Sequence, residues 1–328
     1  MGRWHSFYAR QLGAHVVAIA DRELNTARAL ADRLPGAQAF GDVASMLDAR
    51  RLDALHVCSP LSSHEKIITQ AIDAGVHVLA EKPLTATAAA TRALLTHAAE
   101  KQVIVCPVHQ YAFQRGITAL RAAAAEWQEP LHCRFTICSA GGGNGGDAAL
   151  AAVVADILPH PLSVLCALWP DPDPQASHWT VLRTRPGELL VSGVAGAMTV
   201  EMYISMSARP TRSELDVFGR GGRVRINFFH GYAVVERGQI SRHAKIMQPL
   251  RYTTSSLLTA CGNLMRRAIS REPAYPGLRQ LMQAFYSSVA GRMPPPILPR
   301  DVLAVAEMRD RIMATGSLTE PGVVGGEE

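Results

Sequence analysis

No stretch of this chain approaches the roughly 20 consecutive apolar residues that a bilayer-crossing helix needs, and no secretory leader is visible. A cytoplasmic protein that engages no membrane is therefore expected. Cysteine is sparse, at six residues. Cys133 and Cys138 are the only close pair, at a spacing unlike the common zinc knuckles, so reduced thiols and no metal site follow. Charge of one sign is not concentrated either. The 33 basic residues outnumber the 28 acidic ones, but no lysine-arginine block interleaves with aromatics. That excludes a nucleic-acid platform and leaves a mildly basic surface suited to small anionic ligands. There is no internal repeat. What is present is 328 residues, 48% apolar and 19% charged, enough for two globular domains with a sizeable core.

The first third alternates strand and helix patterns. Apolar strands at 15–20 and 37–40 alternate with helices at 23–34 and 43–49. Ala54-Leu55-His56-Val57-Cys58 is a buried parallel strand, followed by a helix from about Glu65 to Ala74 that stops at Gly75. Val76-His77-Val78-Leu79-Ala80 is the next strand, and it ends abruptly in Glu81-Lys82-Pro83. A helix over 87–101 and a strand over 103–108 complete the alternation. This pattern predicts a Rossmann-like, doubly wound parallel sheet, whose ligands sit beyond the carboxyl ends of the strands. A lysine at such an end is a candidate for touching a substrate oxygen; the alternative is an ion pair with Glu81 that merely caps the sheet.

Ser59-Pro60-Leu61-Ser62-Ser63-His64 after one strand and Ala80-Glu81-Lys82-Pro83-Leu84-Thr85 after the next resemble the Gfo/Idh/MocA family of nicotinamide-dependent oxidoreductases. The resemblance extends over most of the chain. It implies that Gly2, Arg3 and Trp4, with Ser59, Pro60, His64, Glu81, Lys82 and Gln110, contact the cofactor, and that His109-Gln110 lines the nicotinamide. Packing in the core is the other reading of His109. On this alignment the family's Gly-x-Gly-x-x-Gly turn is entered halfway: Gly2 is its second glycine, His5 stands at its third, and the first strand and first glycine do not appear. A recorded start that falls too late, or a member that has lost cofactor binding, would each account for that. Asp21, with Arg22 beside it, follows the strand over 15–20, where a carboxylate accepts hydrogen bonds from an adenosine ribose and favours NAD, with NADP as the alternative. Asp21 is equally suited to capping the helix that follows.

After His109-Gln110-Tyr111 the pattern shifts to a helix over 116–126. Longer β-like segments follow at 131–138, 178–183, 189–194, 198–206, 214–219, 224–229 and 232–236, which predict a largely antiparallel sheet in an α+β domain. Helical patterns return at 255–269, 277–289 and 301–313. The expected division is a dinucleotide-binding domain over 1–112, a substrate and oligomerisation domain over 113–315 whose last helix packs back on the first, and a flexible tail over 316–328. The glycine-rich run at 141–146 reads as a flexible loop near the substrate opening. Asp156 and His160, four apart in an apolar segment, would face one way on a helix, although Pro159 and Pro161 interrupt regular geometry. The resemblance implies that His160 is the proton acceptor, that Asp156 positions it, and that Lys82 binds the reacting hydroxyl. Ser163 stands where many members carry an aspartate. The expected activity is hydride transfer between nicotinamide and a secondary alcohol or ketone of a sugar, cyclitol or related polyol, by a homodimer or homotetramer. An NAD-using glycosidase of the same fold and a catalytically silent ligand-binding protein are the alternatives.

Overall fold

The computed structural model describes residues 1–127, 130–140, 146–169, 178–238 and 241–315. The chain forms two compact units, and the division is discontinuous rather than a single cut near residue 112. The first unit takes Met1–His109 together with Leu278–Ala306; the second takes Gln110–Gly277 and the chain from Glu307.

The first unit opens with α1 (Gly2–Gln11), β1 (Ala18–Ala20), α2 (Leu24–Ala31), β2 (Gln38–Phe40) and α3 (Val43–Ala49). It continues with β3 (Ala54–Val57), α4 (Leu61–Asp73), β4 (His77–Ala80), α5 (Ala88–Glu100) and β5 (Val105–Pro107). Local chemistry sets several of these boundaries. Asp42 accepts from Ser45 N at 2.8 Å and caps α3, and Thr87 accepts from Ala90 N at 3.2 Å and caps α5. Helix α4 begins four residues before the sequence pattern suggested, because Pro60 is extended and its carbonyl already accepts from Ser63 N. His64 is thus helical. All the strands pair in parallel, in two pieces: β1 with β2, and β3-β4-β5 in that order. Val57, Ile68, Ile72, Val78, Leu94, Val105 and Val302 share the core over the larger piece.

The second unit begins with a single 3-10 turn, Gln110–Phe113, and α6 (Arg115–Trp127). Then come β6 (Pro130–Cys138), α7 (Asp147–Ile157), α8 (Pro159–Leu168), β7 (Trp179–Leu182), β8 (Glu188–Ala195) and β9 (Met198–Ser205). β10 (Arg212–Gly219), β11 (Gly222–Asn227), β12 (Tyr232–Arg237) and α9 (Arg242–Ile269) follow. The chain then returns to the first unit for α10 (Leu278–Val289), and α11 (Pro299–Ala314) is divided between the two. The seven strands lie in the order β12-β11-β10-β6-β9-β8-β7, antiparallel except for β6 with β9. Period-2 alternation buries Cys133, Phe135 and Ile137 of β6 with Val200, Met202 and Ile204 of β9. The other face carries a ladder of opposite charges, in which Arg134 meets Glu201 at 3.0 Å and Asp216 meets Arg225 at 2.9 Å.

Four expectations need correction or concern residues outside those described. Helix α9 starts at Arg242, not near 255, and carries Pro249 inside it. The segment Asp147–Leu168 is long and apolar enough by length and composition to cross a membrane, contrary to the reading of the sequence. Half of that apolar stretch is buried, and α8 packs on the 3-10 turn, so it serves as core of the second unit. The glycines at 141–145 and the chain over 316–328 lie outside the described residues.

Candidate active site

In the first unit, the predicted residues gather at the carboxyl ends of parallel strands: Asp21 after β1, Ser59 and Pro60 after β3, Glu81 and Lys82 after β4, and His109 after β5. Asp21 is exposed, and its Oδ1 accepts from Glu23 N at 2.9 Å, so the turn-forming role is realised at the entry to α2. Arg22 is exposed beside it. Lys82 is half-buried. His109 is buried, and burial together with the charge of Lys82 pushes its pKa down to about 3, so the ring is neutral.

Gly2, Arg3 and Trp4 do not form a glycine turn. They are the first turn of α1, because Trp4 N and His5 N both donate to Met1 O, and Arg3 stacks its guanidinium 5.4 Å from the Trp4 ring. His64 sits on α4. It is buried, with Nδ1 3.0 Å from Pro83 O and Nε2 2.9 Å from Ser59 O. Its ring therefore lies between the loop after β3 and the loop after β4, next to Ser59 and Lys82.

His5, at the third-glycine position, joins a hydrogen-bonded group that no local pattern announces. His5 points from α1 toward β3, with Nδ1 2.9 Å from His56 Nδ1 and Nε2 3.1 Å from Glu81 Oε1. His56 Nε2 lies 3.2 Å from Tyr286 Oη of α10. Burial lowers the proton affinity of His5, but the Cys58 sulfur and the Glu81 carboxylate outweigh it and push the pKa up to about 9. Burial, and then the charge on His5, hold His56 well below its ordinary value. His5 is thus an imidazolium that donates from both nitrogens; neutral His56 accepts at Nδ1 and donates from Nε2 to Tyr286.

In the second unit, Asp156 is exposed on α7 and His160 is half-buried on α8. The His160 ring stacks on Tyr111 at 4.3 Å, and Tyr111 stacks on Phe228 at 4.4 Å. Tyr111 Oη lies 3.1 Å from Ser213 Oγ, and burial raises its pKa against that contact. Ser163 Oγ donates to the His160 carbonyl at 2.8 Å. Tyr111 and Phe228, which the sequence reading left out of the site, therefore set the plane of the imidazole. The one available signal was the aromatic directly after His109-Gln110. Gln110 is buried, and its Oε1, like His109 Nδ1, has no hydrogen-bond partner among the described residues.

Residues 2–109 match the family described as oxidoreductases with an NAD-binding Rossmann fold. Over these residues the chain is similar to the Gfo/Idh/MocA family. Named dehydrogenases are similar to parts of the chain. The chain is 29% identical over 229 residues to an inositol 2-dehydrogenase of Pseudomonas syringae, covering 68% of this chain and 63% of the relative. It is 40% identical over 76 residues to an inositol 2-dehydrogenase of Corynebacterium glutamicum, covering 23% of each. It is 37% identical over 78 residues to a D-glucoside 3-dehydrogenase of Escherichia coli, covering 24% of this chain and 22% of the relative. The matches thus span less than two thirds of these relatives' lengths. Among solved structures, an Agrobacterium radiobacter oxidoreductase in complex with NAD+, L-tartaric acid and magnesium shares the fold at a TM-score of 0.73 and 14% identity, covering 96% of this chain and 94% of that one. A UDP-N-acetylglucosamine 3-dehydrogenase from Acidithiobacillus ferrooxidans does so at 0.71 and 16%, covering 95% and 93%.

The donor set fits the family's dinucleotide at its two ends: an exposed carboxylate after β1, and, after β5, buried His109 and Gln110 with polar atoms that no described residue satisfies. The pyrophosphate would meet the first turn of α1, where Gly2, Arg3 and Trp4 stand.

Proposed function

We propose that this chain is an NAD(P)-dependent dehydrogenase or reductase that interconverts a secondary alcohol and a ketone on a sugar, cyclitol or related polyol. The observation that carries the reading is Glu81-Lys82 at the carboxyl end of β4, in a unit similar to an NAD-binding oxidoreductase family. The substrate class is supported by the relatives named as inositol and glucoside dehydrogenases. Asp21 and Arg22 would hold the adenosine end, Gly2, Arg3 and Trp4 the phosphates, and Ser59, Pro60, Glu81, Lys82 and Gln110 the nicotinamide end. Asp21 favours NAD, because its carboxylate repels a 2′-phosphate. The bound nicotinamide supplies the hydride chemistry.

The chain's own residues supply the rest. Lys82 presents an ammonium to the substrate oxygen and stabilises the negative charge that develops there. His160 accepts the hydroxyl proton in the oxidative direction, with its ring plane fixed by Tyr111 and its main chain by Ser163. Asp156 steers the imidazole and a substrate hydroxyl. A catalytically silent ligand-binding role is the second reading. It is favoured by the parallel sheet lying in two pieces and by His5 at the third-glycine position.

The test is NAD+ reduction at 340 nm with a panel of cyclitols, aldoses and glycosides, repeated with Lys82→Ala and His160→Ala. On any substrate turned over, each variant is expected to lose about 100-fold or more in kcat. Near-normal rates in both would overturn the residue assignment. NADH binding without turnover on any polyol would favour the silent reading.

A further inference from the structure

Helix α9 is packed with its polar side inward. Tyr252 Oη accepts from Arg225 Nη1 at 2.8 Å, Asn263 Nδ2 donates to His230 O at 2.7 Å, and Arg267 donates to Glu272 O at 3.0 Å and Pro273 O at 2.8 Å. The opposite side faces solvent and is apolar. Ile246, Leu250, Leu257, Leu258, Leu264, Met265 and Ile269 are 59–82% exposed. A surface helix ordinarily does the reverse. Seven large side chains at these exposures present on the order of 800 Å² of apolar surface, beyond the ~300–600 Å² of the largest patch on a typical monomer and close to the ~800 Å² per partner of a standard interface.

The spacing says what kind of surface would cover it. Leu250, Leu257 and Leu264 recur every seven residues, and Thr254, Cys261 and Ala268 fall four residues after each. That is the alternating 4-3 pattern of a coiled-coil seam, with leucine throughout one of its core positions and small or β-branched residues in the other. Leu258 and Met265 widen the seam on one flank. From Tyr252 to Met265 the helix carries no charged residue. A helix lying on an anionic bilayer keeps lysine and arginine along the flanks of its apolar face, whereas Arg267 here is turned inward onto main-chain carbonyls of its own unit. We infer that α9 is a self-association surface, on which two copies of this chain pack their leucine seams together as a helix pair. This reading is independent of the proposed activity.

The experiment uses the full chain. Sedimentation equilibrium at roughly 50 µM is expected to give a dimer or a multiple of it, and Leu257→Glu/Leu264→Glu is expected to halve the mass. Because both leucines are exposed, the variant's far-UV spectrum should match that of the parent, showing that the monomer is folded. Cys261 gives a second readout that needs no substitution in the seam, since it is the exposed one of the six cysteines. Its labelling by a maleimide is expected to slow on the order of tenfold as the protein concentration is raised through the association range. A monomeric parent, an unchanged mass in the double variant, or Cys261 labelling that ignores concentration would each overturn the inference. Flotation of a monomeric parent with phosphatidylserine vesicles would overturn it in favour of a bilayer.

Discussion

Replacing His5 by Gln should remove a pH-dependent part of the stability, and the sign of the dependence follows from the geometry. His5 is 2% exposed, and its imidazolium donates to His56 and to Glu81. Its pKa rises from an ordinary 6.5 to about 9, where the Cys58 sulfur and the Glu81 carboxylate overcome the burial that opposes them. Because folding raises this pKa, the protonated state favours the native chain. A rise of that size is worth on the order of 3 kcal/mol; it is fully present below the unfolded pKa and is lost as pH climbs through the folded one. His56 acts in the other direction. Burial and the charge on His5 depress its pKa, so its neutral form supports the fold above about pH 6.5, and that support fades as pH falls. The assay is a series of urea melts from about pH 6 to 10 on the parent and on His5→Gln. The parent's advantage should be greatest near neutrality and shrink by roughly 3 kcal/mol toward pH 10. Glu81→Gln should shrink it part of the way. A parent-minus-variant difference that stays flat from about pH 7 to 10 would refute the charged-His5 reasoning.

Tyr111→Phe leaves the Ser213 hydroxyl buried without its phenol partner and is expected to cost about 1–2 kcal/mol in a thermal or urea melt. Tyr111→Leu also removes the stacks on His160 and Phe228, and should bring the loss to roughly 3 kcal/mol. Gly277→Ala meets two obstacles, a φ of +89° and a Cβ that would lie 2.2 Å from the Gln110 carbonyl oxygen, so a loss above about 3 kcal/mol is expected, read as a lowered Tm. Ser163→Asp would bury a carboxylate against the His160 carbonyl and should destabilise by about 3 kcal/mol or more, while Ser163→Ala should cost only about 1. Equal melting of the two Ser163 variants would show that residue 163 is not held against that carbonyl.

The parts of this molecule that were legible in its sequence are those whose signals are local. Helix α3 runs over Val43–Ala49 as its pattern and Asp42 cap require. Thr87 marks the start of α5, and the apolar runs ending at Cys58 and Ala80 are the paired strands β3 and β4. Lys82 stands at its strand end because the strand stops there, which the sequence displays directly. The start of α9 was missed because a proline and a polar, basic first half hide a helix whose polar face turns inward. The His5–His56–Glu81 group joins residues 51 and 76 positions apart. No spacing rule connects them, and the same histidine read in isolation is only an awkward substitute for glycine. At His64 the motif names the residue but not its surroundings, two main-chain carbonyls of the loops after β3 and β4.

The Asp156–His160 pair shows how a motif and its structure divide the work. Helix α7 ends at Ile157 and α8 begins at Pro159, while Leu158 between them keeps right-handed helical angles. Pro159 and Pro161 have no N–H and cannot donate back into the preceding turn. The regular ladder that would fix the angle between positions i and i+4 is therefore interrupted between the two side chains. Helical spacing alone does not orient His160. From outside the motif, the Tyr111 ring packs on one side of the imidazole and the Ser163 hydroxyl holds the main chain. Ser163 in place of an aspartate is consistent with that arrangement: it secures the backbone of His160 and adds no negative charge beside the imidazole.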